Sequence, residues 1–86
     1  MGLIYEIAYL ESVVKKGIPQ LSKADAIRIK RVIEDKLSLN PIEFGKPLRY
    51  SLKGSRSLRV GDFRVIFIIE EPSRVIIVKI GHRKEV

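Results

Sequence analysis

Cationic side chains recur through the second half of this sequence with little acidic opposition. Arg49, Lys53, Arg56, Arg59 and Arg64 follow one another with only Asp62 among them, and Lys79, His82, Arg83 and Lys84 form a second cluster near the end. Most of the first group are arginines, whose planar fork grips phosphate oxygens two at a time. With no Cys and one His, a thiolate nucleophile, a cysteine metal site and a multi-histidine metal centre are all excluded, and no metal or other cofactor is expected. General acid-base and electrostatic chemistry remain. Clustered arginines suit stabilisation of a pentavalent phosphorane better than acyl transfer. Metal-free cleavage of a phosphodiester uses the neighbouring 2′-hydroxyl as nucleophile, so the target of such a site would be RNA. His82 has the one side chain whose ordinary pKa lies near neutrality and is the candidate proton carrier, set against the plainer reading of a hydrogen-bonded residue at a strand end. The plain alternative for the arginines themselves is a solvated face.

Other pairs of reactive residues carry less. Glu70 and Glu71 flank Pro72 in what reads as a solvated turn. Ser55 and Ser57 bracket Arg56 without a His-Asp arrangement. Gly54, Gly61 and Gly81 open no helix at phosphate-loop spacing and read as turn or bulge glycines. Tyr5, Tyr9 and Tyr50 could stack on bases, but read more simply as core or sheet-surface aromatics.

Elements must position these groups, and 86 residues with 45% apolar content make one domain over residues 1–86 with a single two-layer core. The net charge of +7 is unevenly spread: 8 basic against 6 acidic residues up to Pro47, then 9 against 4 from Leu48 onward. A polyanion is the expected partner. The longest apolar run, residues 65–69, is far too short to span a membrane. The start lacks a basic leader, and Glu6 stands where myristoylation requires Ser or Thr. A cytoplasmic protein is expected.

Residues 3–9 read as a first strand. Leu10, Val13 and Val14, stopped by Gly17 and Pro19, read as a helix of about two turns. Ser22 with Asp25 three residues on caps a second helix, whose apolar face is Ala26, Ile29, Ile33 and Leu37. Residues 18–21 join the two helices, Asn40-Pro41 closes the hairpin, and residues 41–47 read as a loop containing Gly45. Three strand-like runs follow at 56–60, 63–70 and 74–80, separated by Gly61-Asp62 and by Glu71-Pro72-Ser73. The fold class is α+β: strand, two helices and three strands, with a twisted, mainly antiparallel sheet packed on the helical hairpin.

A two-residue turn at Gly61-Asp62 sets Val60 opposite Phe63 and Arg59 opposite Arg64. Leu58, Val60, Phe63, Val65 and Phe67 then line the core face, and Ser57, Arg59 and Arg64 the other. Two guanidinium groups directly opposed repel, which an anion between them would explain. For the last strand, a two-residue loop at Pro72-Ser73 would place Gly81 opposite Arg64 and gather Arg59, Arg64, Lys79 and Arg83 on one surface.

The stretches Leu52-Lys53-Gly54, Leu58-Arg59-Val60-Gly61-Asp62-Phe63-Arg64-Val65-Ile66-Phe67 and Ile80-Gly81-His82-Arg83-Lys84-Glu85-Val86 resemble a RelE-type toxin of the RelE/ParE superfamily. The element order and the Asn40-Pro41 loop extend the resemblance over the whole chain. It implies a ribosome-dependent mRNA endonuclease, an mRNA interferase that enters the A site and cuts the codon there. It also implies a cognate antitoxin that blocks the toxin and, in complex with it, binds operator DNA. By position, Arg64 corresponds to the family's phosphate-stabilising arginine, Arg83 to the arginine that assists the leaving group, and Arg59 to a basic residue that activates the nucleophile or holds substrate. Lys53, Arg56, Lys79 and Lys84 are the further cations expected to contact RNA or ribosome. Ser57 occupies a position that is lysine in the best-known member type, which leaves the general base open between Lys53 and Arg56. Family members commonly continue Glu-Val-Tyr where this sequence stops at Val86, so the resemblance leaves two alternatives: a sequence trimmed at its end, or activity impaired by the missing base-stacking tyrosine. A second reading keeps the fold and drops the catalysis: a ParE-like gyrase inhibitor, or an inactive relative acting with antitoxin in operon repression. A third is a small basic RNA-binding domain without toxicity.

Overall fold

A computed structural model of the chain describes residues 4–47 and 54–84. The expectations for Leu3, Arg49, Tyr50 and Lys53 lie outside these residues. The first strand, β1 (Glu6–Tyr9), is shorter than its apolar run suggested. Beyond it the Leu10 N–H donates to the Ile77 carbonyl at 3.0 Å, and the chain turns into a short helical stretch whose Val13–Gly17 part is π-wound. Helix α1 (Lys23–Val32) begins where Ser22 Oγ accepts from the Asp25 N–H at 3.1 Å, the N-cap read from the sequence. It runs into a π-wound end, Ile33–Leu37. Ile29, Ile33 and Leu37 repeat every four residues, which drifts around an α-helix of 3.6 residues per turn. Widening the last turn to i→i+5 bonds offsets that drift, and all three side chains are buried.

Residues 41–47 are not the loop expected of them. Asn40 caps a further short helix, α2 (Pro41–Phe44), its Oδ1 accepting from the Glu43 N–H at 3.2 Å while its Nδ2 donates to Glu43 Oε2 at 2.7 Å. Pro41 ends one helix because it lacks an N–H, and opens the next because the first helical position needs none. Lys46–Pro47 then forms β2, an edge strand where proline is tolerated.

Among the described residues the sheet has five strands in the order β1-β5-β4-β3-β2, with β3 (Arg56–Val60), β4 (Phe63–Glu70) and β5 (Arg74–His82). Only β1 runs parallel to its neighbour, β5; the other pairs are antiparallel. The β3–β4 hairpin has the expected register, with Val60 opposite Phe63 and Arg59 opposite Arg64, and Gly61 in the turn has φ +60°, a conformation natural to glycine. The β4–β5 hairpin differs. Glu70 faces Arg74 across a three-residue loop, and the ladder then shifts by one between Ile66 and Phe67, which face Lys79 and Ile77. Val78 is the extra residue of a β-bulge. The longer loop and the bulge cancel, so Gly81 still faces Arg64.

Leu58, Val60, Val65, Phe67, Val75, Ile77 and Ile80 pack from the sheet against Val13, Ile29, Ile33 and Leu37 of the helical layer. Phe63 is only half-buried, at the rim. Gly45 is fitted tightly: a β-carbon there would overlap the ring of Phe67, which is wholly buried.

Candidate functional site: a cationic sheet face

The face of the sheet turned away from the helices carries the candidate site. Directly opposed residues share a face. The ladder therefore places Ser57, Arg59, Arg64, Ile66, Lys79 and Gly81 together, through the pairs Ser57↔Ile66, Arg59↔Arg64, Ile66↔Lys79 and Arg64↔Gly81. Arg59 and Lys79 are exposed and Arg64 is half-buried. Each occupies its position for a local reason. The tight turn fixes Arg59 against Arg64, and the Val78 bulge brings Lys79 and Gly81 to this face; on an unbulged ladder running from the Glu70↔Arg74 pair, Ile80 would face Arg64 instead.

Two further contacts steady the hairpin tip. Arg59 Nε donates to the Gly61 carbonyl at 3.3 Å. The Arg83 N–H donates to the Asp62 carbonyl at 2.9 Å, one step beyond the Phe63↔His82 pair, and tethers the turn that follows β5 to the hairpin tip. Arg83 and Lys84 are both exposed. Beside this end a cavity of about 370 Å³ opens between the first helical segment and β5, with Ser12, Lys16, Gln20 and Lys79 among its lining residues.

Two of the expected site residues stand elsewhere. His82 faces Phe63 across the ladder and meets its ring edge-on, centroids 5.9 Å apart. Its Nδ1 accepts from the Lys84 N–H at 3.3 Å. It belongs to the helix-facing side, because it lies one residue out of phase with Gly81. Arg56, opposite Phe67, is on that side too, half-buried, with Nη1 donating to the Gly45 carbonyl at 3.5 Å. That contact ties β3 to the end of α2.

One arginine escaped the sequence reading. Arg28 of α1 lies over the β3–β4 turn, where a β-carbon at Gly61 would come 3.0 Å from its Nη2. No spacing rule within α1 points to it, since the contact depends on how the helix packs on the hairpin.

A helical hairpin laid on a five-stranded sheet, whose free face gathers arginines at one end, defines a RelE-like toxin fold. The toxin-antitoxin complex RelBE2 of Mycobacterium tuberculosis contains a chain that superposes with a TM-score of 0.85, at 26% identity, over 94% of this chain and 93% of that one. The RelB-RelE antitoxin-toxin complex of Methanococcus jannaschii gives a TM-score of 0.69 at 22% identity over 91% and 92%, a likeness of fold.

The family described as ParE toxin of type II toxin-antitoxin system, parDE, matches residues 7–86, and the chain belongs to it. Among curated relatives, Toxin RelG of M. tuberculosis is 39% identical over 51 residues, 58% of this chain and 59% of that protein. Toxin RelE of the same organism is 47% identical over 45 residues, 51% of this chain and 46% of that protein. The matched stretches thus span about half the length of these relatives. None of the described helices is long and apolar enough to cross a membrane.

Proposed function

We propose that this toxin is a ribosome-dependent endoribonuclease, an mRNA interferase that cuts the message in the A site and so stops translation in the cytoplasm. The observation that carries this reading is the opposition of Arg59 and Arg64 on the sheet face turned away from the helices. In water two such charges side by side are unfavourable; around a phosphate that acquires further negative charge in the transition state they are an asset. The face would hold the scissile phosphate between Arg59 and Arg64, with Arg83 near the departing 5′ oxygen and Lys79 on the flanking backbone. Attack by the 2′-hydroxyl is intramolecular, so positioning supplies much of the acceleration. With His82 turned towards Phe63, the arginines act through charge and orientation, and the ribosome-bound substrate conformation completes the site. The expected partner is a cognate antitoxin, which would block this face and bind operator DNA together with the toxin. The relatives solved as toxin-antitoxin complexes support that expectation.

A second reading is favoured by the orientation of His82, which leaves the arginine face without an imidazole: a toxin that binds without cutting, for which gyrase is the candidate target. The purified chain added to programmed ribosomes, with new 5′ ends mapped on the message and naked RNA as control, separates the two. Ribosome-dependent cuts within the A-site codon support cleavage. An uncut message together with inhibited gyrase supercoiling supports the binding reading.

A further inference from the structure

The Gly61-Asp62 turn is approached by two guanidinium groups from different layers. Arg59 reaches it from the sheet, Nε donating to the Gly61 carbonyl at 3.3 Å. Arg28 reaches it from α1, its Nη2 and Nη1 lying 3.0 and 3.1 Å from where a Gly61 β-carbon would be. The Arg28 guanidinium thus lies close against the turn, where a β-carbon at Gly61 would make it give way by a few tenths of an ångström. Among the described residues the ion pairs are Lys15 with Glu11 and Arg74 with Glu6 and Glu70. Neither Arg28 nor Arg59 is among these described pairs, although Asp62 is adjacent. Arg31, one turn further along α1, is also exposed and unpaired by those bridges.

We propose that Arg28 is a phosphate-binding residue for RNA flanking the reacting phosphate, so that the substrate path runs from Lys79 and Arg64 past Arg59 and over the turn to Arg28. The inference rests on the RNA reading of the sheet face and extends its footprint onto the helical layer. Arginines succeeding one another around a turn match a ligand whose charges are regularly spaced along a chain, which favours a nucleic-acid backbone over an acidic protein segment. Gly61 serves this path by bringing the backbone of the turn, and with it Arg59, close to the Arg28 guanidinium.

The test measures binding of wild type, Arg28→Gln and Arg28→Lys to message-programmed ribosomes between about 50 and 200 mM KCl, with thermal melts of each. Arg28→Gln is expected to lose roughly tenfold in affinity and to flatten the plot of log affinity against log salt by about 0.7 to 0.9, the contribution of one phosphate contact, with its melting temperature unchanged. Arg28→Lys is expected to restore the slope. Wild-type affinity and slope in Arg28→Gln overturn the proposal. A lowered melting temperature with the slope intact also overturns it, since that marks a prop for the turn. So does weakened binding to an acidic partner protein with ribosome binding intact. Wild-type cutting combined with indifference to Arg28 removes this inference and leaves the cleavage reading standing; Arg28-dependent binding without cutting does the reverse.

Discussion

Arg59 and Arg64 stand directly opposite each other across the β3–β4 hairpin, a like-charge pair that a hairpin selected for stability alone would avoid. Like charges directly opposite each other on a sheet are destabilising. Arg59→Gln is therefore expected to melt at or slightly above the wild-type temperature in low salt, with the difference shrinking in about 0.5 M KCl as screening takes over. A short RNA is expected to raise the melting temperature of wild type more than that of Arg59→Gln. A loss of stability in the variant under low salt would show that the bond from Arg59 Nε to Gly61 outweighs the repulsion.

Arg83 is exposed, and among the described residues its bond to the sheet is the backbone N–H, which donates to the Asp62 carbonyl at 2.9 Å. Arg83→Ala is thus expected to keep the wild-type melt and to lose roughly 10² to 10³ in cleavage rate on programmed ribosomes, the range for removing one donor to developing negative charge. Undiminished cleavage with a normal melt would take Arg83 out of the chemistry.

Gly45 and Phe67 form a size-matched pair. Phe67→Ala is expected to cost about 3 to 5 kcal/mol in denaturant unfolding, because the ring is wholly buried. Gly45→Ala forces an atom into that ring and is expected to cost about 1 to 3 kcal/mol. Combining it with Phe67→Leu tests the cause. The double variant should be less destabilised than the sum of the singles, whereas additive costs would mean that the two sites do not share the space.

Tyr9 carries a buried hydroxyl with no hydrogen-bond partner among the described residues, and its pKa is pushed up to about 12 by burial first and by the charge of Glu34 second. The folded state holds this proton more tightly than the unfolded chain does. The contribution to stability is complete below the ordinary tyrosine pKa of about 10 and is lost as pH rises towards 12. Wild type should accordingly show a late-titrating component by tyrosine ultraviolet absorbance that is lost in Tyr9→Phe. Tyr9→Phe should melt no lower than wild type at neutral pH and lose less stability between pH 10 and 12. A lower melting temperature would reveal a partner for the hydroxyl.

The parts of the fold that were legible in the sequence are those set by short-range geometry. Ser22 with Asp25 announced its helix, and a two-residue turn at Gly61 left β3 and β4 a single pairing that agrees with their apolar alternation. The Arg64↔Gly81 pair was expected for a reason that differs from the real one: the loop is longer than assumed, and Val78 restores the phase. A bulge inside the apolar run from Val75 to Val78 leaves no mark on hydropathy, so alternation could not locate it. Asn40 followed by Glu43 did carry a capping signature, obscured by reading Pro41 only as a stop. His82 and Arg56 were assigned by residue type before phase was considered, and phase places both on the other side. Arg28 depended on packing between layers, which no local pattern encodes.

The Val78 bulge bears on how chains of this fold can differ in length. Upstream of it β5 turns its odd-numbered residues, Val75 and Ile77, into the core; downstream it turns in the even-numbered Ile80. Removing Val78 would straighten the strand and leave both halves in their present partnerships. Losing Lys79 would do the same, with Val78 moving opposite Ile66, whereas a deletion at Ile76 that closed the bulge would put Ile77 on the surface and Val78 opposite Phe67 in the core. Relatives one residue shorter in this strand are therefore expected to carry their gap at Val78 or Lys79, which makes that point a landmark for aligning arginines across otherwise dissimilar toxin sequences.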